Sequence, residues 1–116
     1  MRDPSKLTTY AMAQDLVVLV YRSTGGFPPD ERFGLTSQLR RAVVSIVANI
    51  AEGCGRRTQP DYVRFLDIAS GSASEVEALI DLSSRLSLLD DASYTALMKD
   101  AVAIRKSLNA LIQSLV

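Results

Sequence analysis

At 116 residues the chain has the length of one domain, and with 47% hydrophobic residues it has ample material for a core. Its thirteen Lys and Arg balance thirteen Asp and Glu, which removes the net positive charge expected of a protein held mainly by phosphates. Histidine is absent and Cys54 is the only cysteine, which excludes a Ser-His-Asp triad, a histidine general base, an intrachain disulfide and a Cys-rich zinc site.

Proline and glycine cut the chain into four helix-length segments, and no strand-like alternation lies between them. The first, about Ser5 to Ser23, carries Leu7, Tyr10, Ala13, Val17 and Val20 on one face and Met12, Leu16 and Leu19 on the adjacent one. An apolar arc that wide predicts burial on two sides. Pro29, Asp30 and Glu31 have the chemistry of a first helical turn, so the second helix is expected to start there or near Thr36. Gly53 or Gly55 is expected to end it in the left-handed conformation, with Arg56 and Arg57 beside its negative end.

The third helix is expected near Pro60, capped by Thr58 or Gln59, with a core register of Tyr62, Phe65, Ala69, Ser72, Val76, Leu79, Ser83 and Leu86. Gly71 interrupts it, and a glycine costs a helix interior about 1 kcal/mol against alanine. A close approach by a neighbouring helix is the expected reason. Asp90 or Asp91 should cap the fourth helix, whose seam is Leu97, Ala101, Ile104, Leu108, Leu111 and Leu115. Short connections make successive helices antiparallel, so the expected fold is all-α, an up-down-up-down four-helix bundle forming a single domain over residues 1–116.

The second segment, Leu35 to Gly53, holds two stripes. Leu39, Val43, Ile46 and Ile50 form an apolar one, and Gln38, Arg41, Ser45, Asn49 and Glu52 a polar one. A surface helix needs only the first, so the second predicts a polar contact surface. Charge is uneven here as well. Asp30 to Arg57 holds five Arg against three acids, whereas the stretch from Thr58 onward holds five bases against eight acids.

Phe27-Pro28, Glu31, Leu35, Gln38, Arg41, Ser45-Ile46, Asn49-Ile50-Ala51-Glu52-Gly53 and Gly71-Ser72 with Glu75 make a multi-part signature. With it the chain resembles, over nearly its whole length, the four-helix-bundle family encoded in intervening sequences of bacterial 23S ribosomal RNA genes. That family is similar to the accessory variability determinant of diversity-generating retroelements, a barrel-shaped homopentamer that binds nucleic acid and a reverse transcriptase. The resemblance implies a homo-oligomer, a pentameric ring, and gives the wide apolar arc of the first helix a purpose. Two departures stand out: Val47 occupies a position where the family commonly has proline, and the chain lacks the strong basic charge of the accessory protein.

Arg40, Arg41, Arg56 and Arg57 read first as ion-pairing residues at a surface or interface. Arg40, Arg56 and Arg57 are also the residues that would meet RNA or DNA if the family relation extends to nucleic acid. Arg41 is expected to pair with Glu52 of a neighbouring copy or with Glu75 across the bundle. Asn49 and Glu52 could serve acid-base chemistry only with a partner acid, a histidine or a metal set, and none is evident, so no catalytic residue, cofactor, metal or small-molecule substrate is assigned. Cys54 between two glycines reads as an inert thiol, Ser70, Ser72 and Ser74 as packing residues, and Tyr10, Tyr21, Tyr62 and Tyr94 as core residues on the seams. With one cysteine, no secretory signal and no apolar run of the roughly 20 residues a span requires, a cytoplasmic, membrane-free protein is expected.

Overall fold

The computed structural model describes residues 2–116. Its four α-helices are α1 (Thr8–Thr24), α2 (Leu35–Cys54), α3 (Gln59–Arg85) and α4 (Asp91–Leu115), and no strand occurs among the described residues. Cross-helix contacts fix the topology. Arg40 reaches Thr24 and Tyr21, Ser45 meets Ser72, Glu77 meets Arg105, and Thr9 meets Ser107, so each helix runs antiparallel to the ones beside it and α1 closes against α4. The result is the all-α bundle the sequence predicts, 43 Å long and about 20 Å across.

Local chemistry sets the helix starts. Thr58 and Asp90, both extended, accept the backbone N–H groups of Asp61 and Ser93, which satisfies donors that the first turns of α3 and α4 leave open. The segment Pro4–Lys6 forms a separate 3-10 turn capped by Asp3, so α1 starts three residues later than predicted. Pro29–Glu31 is likewise a detached 3-10 turn, not the first turn of α2. Glu31 nevertheless acts on α2, because its carboxylate accepts the Leu35 N–H at 3.1 Å.

The helix ends correct one expectation. α2 stops without a left-handed glycine: Gly55 has φ −83° and the chain tightens through Gly55 N–H to Glu52 C=O and Arg56 N–H to Gly53 C=O before extending at Thr58. The left-handed residue sits instead at Ser87, φ 59°, just past α3. There Ser87 N–H donates to Ser84 C=O and Leu88 N–H to Ser83 C=O, the paired bonds that close a helix end.

The core is a column of Leu16, Leu39, Ile46, Ile50, Leu66, Ile80, Leu97, Ile104 and Leu108, all fully buried. Each contributes about 1.5–3 kcal/mol relative to exposure. The α4 seam is the one predicted, with Leu111 and Leu115 only partly covered near the end. In α3 Tyr62, Ala69, Val76, Leu79 and Ser83 are buried as predicted, but Leu66, Ala73 and Ile80 are buried as well, Phe65 and Ser72 are half-buried, and Leu86 is exposed. One heptad line cannot describe α3, because it packs between α2 and α4 and needs a second line facing α4. Helix α1 behaves in the same way, burying Thr9, Ala13, Leu16, Val20 and Thr24 between its two predicted faces.

The expected close approach exists, at a different glycine. A Cβ on Gly71 would meet nothing within 4 Å, whereas one on Gly53 would lie 2.9 Å from the Phe65 Cβ and 3.3 Å from the Tyr62 carbonyl oxygen.

Candidate interaction surface

The outer side of α2 has two flanks. Toward α3 lies the polar stripe, whose middle is closed by hydrogen bonds. Asn49 Nδ2 donates to the Ser45 carbonyl at 2.8 Å and to Ser45 Oγ at 3.0 Å, while Ser45 Oγ and Ser72 Oγ bond across the helices at 2.9 Å. Above them Gln38, Arg41, Ala42, Ser45 and Glu75 line an open pocket of about 280 Å³. Arg41 and Glu75 share this pocket as exposed side chains and form no ion pair with each other. At the far end Glu52 accepts from Arg56 of its own chain at 2.6 Å. The Arg41–Glu75 pairing expected across the bundle is not made, and Glu52 is engaged by Arg56 of its own chain.

Toward α1 the surface changes character. Gln14, Val17, Val44 and Val47 line a groove of about 310 Å³ that continues into one of about 440 Å³ bordered by Tyr21, Arg40, Arg41, Val44, Ser45 and Ala48. Val18, Tyr21 and Val44 are 48, 44 and 41% exposed. The predicted wide arc of α1 is therefore covered by α4 and α2 on its two sides and left open along this groove.

The other arginines are largely engaged. Arg40 donates from Nε to Thr24 Oγ1 at 2.9 Å and lies over the Tyr21 ring at 4.5 Å. Arg56 and Arg64 each stand 4.6 Å from the Phe65 ring centre, with carboxylates of Glu52 and Asp61 on them. Arg2 covers Tyr62 at 4.0 Å, and Arg57 is exposed with no ion pair among the described residues. One of the aromatic assignments is thereby corrected. Tyr21 is a surface ring rather than a core one, and Arg40 of α2 lies over it.

Cys54 and Tyr62 are buried together where α2 meets α3. Burial pushes the Cys54 thiol above its ordinary value, with Tyr62 hydrogen bonding opposing in part, and burial raises Tyr62 as well. The thiol is thus shielded and protonated, as its expected inertness requires. No group of three or more Cys, Asp or Glu able to hold a metal occurs among the described residues, and no described helix is long and apolar enough to cross a membrane.

A polar stripe on α2 opposite the α3 serine, with Gly53 seated against Phe65, is the structural form of the signature read from the sequence. Residues 5–110 match the model of the 23S rRNA-intervening sequence proteins. The chain belongs to that family. A crystal structure from Bacteroides thetaiotaomicron, a protein with unknown function from the S23 ribosomal protein family, superposes with a TM-score of 0.82. It is 24% identical, and the match covers 90% of this chain and 98% of that one, so the family fold is present from end to end. No curated protein matches the chain.

Proposed function

We propose that this family member is a non-catalytic subunit of a cytoplasmic homo-oligomeric scaffold, in a ring of five copies as the resemblance implies. The observation that carries the reading is the valine-lined groove between α1 and α2. Val17, Tyr21, Val44 and Val47 form one apolar stretch beside arginines, and a surface of that kind is where a monomer would lose solubility and an interface would gain affinity. A buried, protonated lone thiol also suits a reducing compartment.

Nucleic-acid binding through Arg40, Arg56 and Arg57 draws less support. Arg40 is spent on Thr24 and Tyr21, Arg56 on Glu52, and only Arg57 stands open, which leaves few cations to displace counterions from a phosphate backbone. Multi-angle light scattering on the purified chain at micromolar concentration tests the scaffold reading. A mass several times that of the 12.6 kDa chain is expected, and a monomer overturns it.

A further inference from the structure

We infer that the α1–α2 groove is filled by the α3 flank of the next copy, so that copies join head to tail with Glu75 of one set against Arg41 of the other. The inference rests on the scaffold reading and specifies its contact. Ile68, Glu75 and Leu82 recur every seven residues along α3, all exposed, and Ile68 and Leu82 are 42 and 45% open to solvent. Seven residues are two helical turns, so the three side chains form one ridge on the α2-facing side of α3, apolar at its ends and acidic in its middle. The groove on the other side of α2 offers counterparts to two of the three, with Val17, Val44 and Val47 in one stretch for Ile68 and Arg41 on the border of the next for Glu75.

Height along the bundle makes the two patterns compatible. Copies in a closed ring are related by rotation alone, so groups that meet across a contact whose ring axis runs along the helices must lie at the same level. Glu75 and Arg41 line one pocket of the same chain, which puts them level. The pairing of Gly53 with Phe65 and of Ser45 with Ser72 places Ile68 opposite Asn49, within about one turn of Val47. Rotation therefore brings the ridge acid to Arg41 and Ile68 to the groove valines together.

The same arrangement limits ring size. In a four-cornered bundle the α1–α2 and α2–α3 faces meet at α2 at roughly a right angle, and head-to-tail contacts between faces so inclined close after about four or five copies instead of growing a filament. Helix α2 then sits at the inner corner of every subunit, with the Arg41, Ala48 and Glu52 side toward the central opening.

Two variants at exposed positions break one half of the contact each: Val44→Glu blocks the groove, and Glu75→Arg reverses the ridge. Circular dichroism should show native helicity for both, and light scattering should show both as monomers. Mixed one to one, they should form a dimer and nothing larger, because the first keeps an intact ridge and the second an intact groove. A wild-type oligomer whose variants stay assembled, or whose mixture stays monomeric, overturns the head-to-tail assignment while leaving the scaffold reading in place. A wild-type monomer overturns both. Arg41→Glu combined with Glu75→Arg in one chain restores assembly if this charge contact is the one that forms, and its failure to do so counts against the contact.

Discussion

Along its α3 flank, α2 completes its contacts within one chain: Ser45, Asn49 and Ser72 satisfy one another, and Gly53 lets the helix backbones draw together against Phe65 and Tyr62. Along its α1 flank the same helix presents Val44 and Val47 to a groove that no residue of the chain fills. The first flank is specified by hydrogen-bond geometry and close fit, which a single fold can satisfy. The second is specified by apolar area without a lid. Val44 and Val47 belong to neither stripe of α2, and the polar stripe serves mostly the internal flank. The motif residues that look most like a site are in large part the means by which α2 meets α3.

Filling the space at Gly53 breaks the internal flank most severely. In Gly53→Ala the new methyl would stand 2.9 Å from the Phe65 Cβ and 3.3 Å from a backbone oxygen, neither of them the loose end of a side chain. Overpacking of this kind costs about 1–3 kcal/mol, and the better helix propensity of alanine returns only part of it so near the helix end. A net loss of about 1–2 kcal/mol should lower Tm by roughly 4–8 °C in a chain of this size, as read by thermal circular dichroism. An unchanged Tm would mean that the α2–α3 seam is looser than its distances imply.

The architecture was legible in the sequence where a single local rule decides. Pro60 with Thr58 marks the start of α3, Asp90 that of α4, and the α4 seam follows from one uninterrupted heptad line. Misreadings arose where two neighbours compete for one helix. The register of α3 placed Leu86 in the core and passed over Leu66, Ala73 and Ile80, since a helix between two partners buries two lines and periodicity offers only one. Gly71 and Gly53 look alike in a sequence, and only the crossing of α2 over Phe65 distinguishes them. The stop at Ser87 was invisible because a left-handed serine carries no signal comparable to glycine. Spacing places Gln38, Arg41, Ser45, Asn49 and Glu52 on one stripe, but it does not show that Asn49 turns to Ser45 or that Arg56 returns to Glu52 through the turn after α2.

Gly71→Ala supplies the opposite sign on the neighbouring helix α3. With nothing within 4 Å of the added methyl, only the backbone term remains, and alanine should stabilise α3 by about 0.5–1 kcal/mol. The expected rise in Tm is roughly 2–4 °C. If Gly71→Ala instead destabilises the assembled protein while light scattering shows a loss of mass, this part of α3 is covered by another copy.

The smallest effect concerns pH and isolates the internal flank again. Cys54 is buried against Tyr62 at the α2–α3 end, and burial holds its thiol above the ordinary value of 9.0. A group whose folded value is raised contributes stability that is complete below its unfolded value and is lost as pH climbs through the folded one, since the unfolded chain releases the proton first. Wild-type Tm should therefore decline once pH passes about 9, and Cys54→Ala should start lower, having lost packing, but decline less steeply over the same interval. Tyr62 is raised from 10.0 mainly by burial and further by Cys54 beside it, so the difference between the two curves reports the buried Cys54–Tyr62 pair, with the thiol titrating first. Parallel curves would mean that water reaches the α2–α3 seam in the folded state.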